Sequence, residues 1–182
     1  MTRTCALLFA SLVLLATGCS SPDADPSSDP SAEVSPRARA IRSGLAELVA
    51  GDHPSRRDTR NGACFARALM GRTTPEDLQD AGVLDASYAV AAEQPPLPRE
   101  LAEVWAASQF ECTDFVTESA RAQVAISHGK VDGETYATCL REKLTSDEIR
   151  AAVVESLIGT FDGVAVNRFS RAQGECARNS HH

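Results

Sequence analysis

From Arg37 onward the apolar residues recur every three to four positions, and no stretch sustains an alternation of period two. Ile41, Leu45, Leu48 and Val49 form one stripe on a first helix, which Gly51 ends. The polar, basic stretch from His53 to Gly62, with Pro54 and an Asn61-Gly62 turn signal, reads as loop. A short helix over 63–70 stops at Gly71. Thr74-Pro75-Glu76-Asp77 then supplies an N-cap, a proline at the first helical position and acids in the first turn, opening a helix that ends near Gly82.

Gln94-Pro95-Pro96-Leu97-Pro98 interrupts the pattern as a loop. Beyond it one long helix is predicted from Arg99 to Ile126, with Leu101, Val104, Trp105, Ser108, Cys112, Phe115 and Val116 on its inner face, before a stop at His128-Gly129. Tyr136, Cys139 and Leu140 belong to a helix over 133–144. Thr145-Ser146-Asp147-Glu148 resembles a capping box and opens a helix through Leu157. Ala165, Phe169, Ala172 and Cys176 share a face of the last helix. The expected fold is all-α, a compact bundle of about six to eight helices.

A repeated pattern runs through it. Cys64 is followed by Phe65, Leu69 and the capped helix at Thr74, and Cys139 by Leu140, Leu144 and the capped helix at Thr145. A third helix then carries Cys112 in the first case and Cys176 in the second. This suggests two similar helical units, 63–126 and 133–178. Four cysteines allow three connectivities. The repeat symmetry prefers Cys64–Cys112 and Cys139–Cys176, which would staple each unit internally.

The first thirty-six residues differ in character. Arg3 precedes the apolar run Cys5–Ala16; twelve helical residues rise about 18 Å, too short for the ~30 Å hydrocarbon core, so 1–18 reads as a signal peptide. The following Leu15-Ala16-Thr17-Gly18-Cys19 resembles the lipobox of bacterial lipoproteins. That resemblance implies cleavage before Cys19 and a diacylglyceryl thioether on it, hence localisation at the extracytoplasmic face of the cell membrane through a lipid anchor. The alternative is an ordinary secretory signal, with Cys19 an incidental thiol. Residues 20–36 hold six Ser, four Pro and four acids, with Val34 the one sizeable apolar side chain, and read together with Cys19 as a tether, leaving 37–182 as the folded domain. Lipobox, Ser/Pro/Asp tether and helical units with spaced cysteines together resemble the small exported lipoproteins of actinobacteria. Sixteen Arg against two Lys, and 29 Ala, suit the GC-rich genomes of that group. The resemblance implies a habitat and a fold type, and no activity.

Charge refines the picture. The net charge is −7, which argues against a nucleic-acid partner. Residues 37–72 carry eight Arg and three acids, whereas 73–118 carry ten acids and one Arg. These are solvated helix faces or, in a sharper reading, a basic end facing anionic lipid or wall polymer and an acidic band facing an envelope protein. His53, His128, His181 and His182 have no evident partners, and the sequence contains no zinc, phosphate-loop, hydrolase or C-x-x-C motif. No cofactor, metal or catalytic residue is therefore assigned. The function expected is an extracytoplasmic binding or scaffolding module, the alternatives being an envelope enzyme and a small-ligand carrier with a cavity between helices.

Overall fold

The computed structural model describes residues 35–181; the expected signal peptide 1–18, Cys19 with the expected tether up to residue 34, and His182 lie outside the described residues. Among the described residues there are eight helices and no strand, so the fold is all-α. None of these helices is long and apolar enough to cross a membrane.

Helix α1 (Pro36–Ala50) begins inside the expected tether, with Pro36 in its first turn and the Ser35 hydroxyl accepting from the Ala38 N–H. The expected loop 53–62 is mostly helix: α2 spans Arg56–Met70. Its start is a capping box in which the Ser55 hydroxyl accepts from the Asp58 N–H and the Asp58 carboxylate accepts from the Ser55 N–H. Gly62 lies in mid-helix because α1 crosses there: a Cβ on Gly62 would overlap the Ala46 carbonyl oxygen. The glycine that reads locally as a turn is a contact point between helices.

Helix α3 (Pro75–Asp80) is capped at Thr74 as the sequence indicates. The long helix expected over 99–126 is two, α4 (Arg99–Cys112) and α5 (Phe115–Ile126). Thr113 is extended, at φ −139°, and Asp114 restarts the chain as an N-cap, its carboxylate accepting from the N–H groups of Val116 and Thr117. The apolar stripe continues across this break, which is why periodicity alone does not reveal it. Helices α6 (Gly133–Lys143), α7 (Ser146–Leu157) and α8 (Val164–Asn179) follow, with a capping box between Thr145 and Glu148 at the start of α7.

The disulfides are Cys64–Cys112 and Cys139–Cys176, with Cα–Cα distances of 5.7 and 5.6 Å. The first joins α2 to α4, and the second joins α6 to α8. Equivalent apolar positions are buried in both halves: Phe65 and Leu140 one residue after the cysteine, Leu69 and Leu144 five after, and Leu78 and Ile149 four after the capping threonine. The core has two clusters. One gathers Ile41, Leu45, Phe65, Leu69, Leu78 and Trp105 and takes in Val154 and Leu157 from the end of α7. The other gathers Val116, Tyr136, Leu140, Ile149, Ala172 and Cys176. Helix α7 thus contributes one end to each, and burial of these side chains, at about 1.5–3 kcal/mol apiece, is what holds the helices together.

The connection from α3 to α4 is strapped over this framework. Leu84 and Val90 form an isolated antiparallel bridge, and the Leu97 N–H donates to the Leu157 carbonyl at 2.8 Å. Tyr88, at φ 66°, lies under the Arg37 guanidinium, 4.6 Å from its ring centroid. That strap carries Pro95 and Pro96 to the end of α7.

Candidate binding groove

Beneath Pro95 and Pro96, between the end of α4, the start of α5, the second half of α7 and the start of α8, lies an open groove of about 480 Å³. Its lining is uncommon for a chain in which 24% of residues are charged. Phe115, Val153, Leu157, Phe161, Val166 and Phe169 supply apolar surface, Gln94, Gln109 and Ser156 supply the polar groups, and no lining side chain is ionisable. Four other surface grooves each contain at least one ionisable side chain: Asp114 and Arg141, Glu47 and Asp52, Arg121 and Glu134, or Asp132 and Glu142. The Ser156 hydroxyl donates to the Ala152 carbonyl, which leaves its lone pairs for a ligand. The Gln94 and Gln109 amides make no hydrogen bond with the described residues.

The rim is set by the turn between α7 and α8. There Phe161 is 72% exposed and, at the start of α8, Val164 is 85% exposed. These two and Ile126 are the large apolar side chains most open to solvent among the described residues. Helix α8 has no side-chain cap of its own, because its N-cap is Gly163. Glu155 of α7 substitutes, its carboxylate accepting from the Val166 N–H at 2.9 Å. A Cβ on Gly163 would collide with that carboxylate, so glycine is needed for the approach. The Gly163–Glu155 pair thereby fixes the angle at which Val166 and Phe169 enter the groove.

A second surface feature lies on α2. Arg57 meets Glu118 at 3.1 Å and Arg72 meets Glu111, so two arginines of the basic segment are clasped to the acidic one. Arg56, Arg60 and Arg67 are exposed and meet no carboxylate among the described residues. At the α4–α5 break, burial pushes the Asp114 carboxyl up, but the Thr117 N–H and hydroxyl and the Arg141 guanidinium outweigh it and hold the pKa below the ordinary value.

The residues singled out by the sequence divide as follows. Cys64, Cys112, Cys139 and Cys176 are brought together in two pairs and are structural. Cys19 lies outside the described residues. His53 is exposed, His128 occupies a left-handed turn position at φ 52°, and His181 forms a backbone bridge with Val131. Among the described residues no three His, Cys, Asp or Glu side chains converge as a metal site. Trp105, the one tryptophan, is wholly buried and packs on Phe65 with ring centroids 4.8 Å apart. The groove itself was not picked out by sequence reasoning, although two large apolar residues in the short 158–163 connection and at its exit are a usable signal. Comparison with family models, with curated proteins and with solved structures gives no match.

Proposed function

We propose that the protein is an extracytoplasmic binding module, held at the cell membrane by a lipid on Cys19, whose groove receives a neutral, mainly apolar segment of an envelope partner. The observation that carries this reading is the groove with its uncovered rim. Apolar residues contribute to stability only when buried, and Phe161 and Val164 are left open beside a lining without charge. The three phenylalanine rings and two prolines supply flat apolar contact, while the unpartnered amides of Gln94 and Gln109 match the hydrogen-bonding capacity of a peptide backbone. Two disulfides suit an oxidising compartment, as the lipobox-like signal also requires.

A photoreactive phenylalanine analogue at position 161, introduced into cells making the full-length protein, tests this. Formation of a discrete crosslinked adduct from position 161, absent when the probe stands at Glu142, is the expected result. Equal, diffuse labelling from both positions overturns the groove reading. The anchor is tested separately: the Cys19→Ser protein should leave the membrane fraction, and its full retention there removes the lipid from the account.

A further inference from the structure

We propose that the outward face of α2 docks on an anionic phospholipid bilayer. Arg56, Arg60 and Arg67 stand at i, i+4 and i+11, within a sector of about 40° at about 100° per residue. Ala63, at i+7, lies about 20° beyond Arg56, which widens the stripe to about 60°, and adds no bulk that would hold a flat surface away. All four residues are exposed, and the stripe they form is about 16 Å long. The one carboxylate on α2, Asp58, is turned away, accepting from Ser55 and facing Arg121 at 3.7 Å. Three unneutralised cations on one line, in a chain of net charge −7, are a local concentration against the average.

A bilayer fits this arrangement better than a soluble anion. The three guanidinium groups stand in a row along a convex helix and enclose no pocket, so they match a sheet of phosphates and not a single one. Their place in the chain agrees. Helix α2 packs on α1, the crossing is at Gly62 and Ala46, and α1 begins at Pro36. The sixteen residues between Cys19 and Pro36, at ~3.1 Å each when extended, reach at most about 50 Å. A lipid on Cys19 therefore leaves the stripe within reach of the same membrane. The docking orientation rests on that anchor, whereas the apolar groove does not enter it.

The test uses the processed, membrane-extracted protein reconstituted into vesicles of neutral phosphatidylcholine or of phosphatidylcholine with phosphatidylglycerol. Arginines are modified with phenylglyoxal and located by mass spectrometry. Expected is a several-fold loss of reactivity at Arg56, Arg60 and Arg67 on the anionic vesicles, with Arg99 and Arg171, both exposed, unchanged. Protection should vanish as salt rises from about 0.1 M to about 1 M and the Debye length shrinks from about 10 Å to about 3 Å. In the lipid-free Cys19→Ser protein, replacing the three by glutamine (Arg56→Gln, Arg60→Gln, Arg67→Gln) should abolish salt-sensitive attachment to anionic vesicles while leaving the thermal unfolding transition in place. Equal reactivity on the two vesicle types overturns the proposal, as does protection by soluble poly(glycerol phosphate) but not by vesicles, which assigns the face to wall polymer. Failure to stay on neutral vesicles, with protection on anionic ones intact, refutes the lipid anchor and supports the docking face.

Discussion

Gly62 of α2 faces the Ala46 carbonyl of α1 so closely that a side-chain carbon on Gly62 would occupy the space of the oxygen. Two effects of a Gly62→Ala change oppose each other. Alanine is favoured over glycine within a helix by about 1 kcal/mol, and overpacking a close contact costs about 1–3 kcal/mol. Here the obstacle is backbone, which cannot rotate away, so overpacking wins. Gly174, within α8, is the control, because its added carbon would meet only the Arg178 side chain at 3.6 Å. Gly62→Ala should lower the unfolding free energy and Gly174→Ala should raise it, the latter by about 0.5–1 kcal/mol. Two changes of the same sign in urea titrations would remove the crossing from the account.

The two staples close spans of 48 and 37 residues. Chain entropy assigns roughly 4 kcal/mol to each and separates them by only a few tenths, because the dependence on span is logarithmic. Removing either bridge through paired Cys→Ser changes should therefore cost nearly the same, with destabilisation on the order of 2–5 kcal/mol in guanidinium titrations. A much larger cost for one pair means that its cluster depends on more than chain restraint. Peptide mapping without reductant checks the pairing, and a Cys64–Cys139 linkage would overturn it.

Much of this architecture is legible before folding. The N-cap at Thr74 and the capping box at Thr145 are local signals, readable from three or four residues, and both stand where expected. The pairing of cysteines follows from a pattern repeated around Cys64 and Cys139. What escapes is non-local. Asn61-Gly62 reads as a turn because its reason, the approach of α1, lies sixteen residues upstream. The break at Thr113 is masked by the apolar stripe, in which Ser108, Cys112, Phe115 and Val116 continue the helical period. Asp114, with Thr117 three residues on, was the available clue to a restart. The groove is assembled from the Pro95-Pro96 strap, α4, α5, α7 and α8, so no sequence window contains it.

Acid should unfold the protein through its caps. Asp58 is held below its ordinary pKa of 3.8 by the hydroxyl and N–H of Ser55, and Glu148 below 4.5 by the N–H of Thr145, with Asp77, Asp85 and Glu175 also lowered. Each folded pKa lies below the unfolded one, so the unfolded chain binds more protons in acid. The stabilisation is complete above the unfolded values and is lost as pH falls through the folded ones. The melting temperature should be flat between about pH 7 and about pH 5 and fall steeply below about pH 4. Asp58→Asn should flatten the acid limb in calorimetry; an unchanged limb would exclude that cap from the transition.

Trp105 is fully buried, and its indole N–H has no partner among the described residues. An unmet buried donor costs about 1–3 kcal/mol, which partly offsets what the ring contributes through packing on Phe65. Trp105→Ala should destabilise by about 3–5 kcal/mol, while Trp105→Phe, which keeps a ring and removes the donor, should cost well under half of that. If the two substitutions prove equally damaging in denaturant titrations followed by circular dichroism, the N–H has a role in the folded state.

Glu155 joins stability to the groove. Its carboxylate takes the place of the side chain that Gly163 lacks, accepting from the Val166 N–H at the start of α8. An N-terminal cap is worth about 0.5–2 kcal/mol, and a charge at the positive end of the helix dipole adds to it. Glu155→Ala should therefore cost about 1–2 kcal/mol, and Glu155→Gln less, because the amide oxygen still accepts. Gly163→Ala should resemble Glu155→Ala, because its methyl group occupies the space of the carboxylate. Since Val166 and Phe169 line the groove from this turn of helix, both changes should speed amide hydrogen exchange over 164–169 and leave α2 unaltered. Combining Glu155→Ala with Gly163→Ala should add little to either alone, for the two remove one contact. Full additivity would show that the residues act separately and that α8 is positioned by its packing on α7 alone.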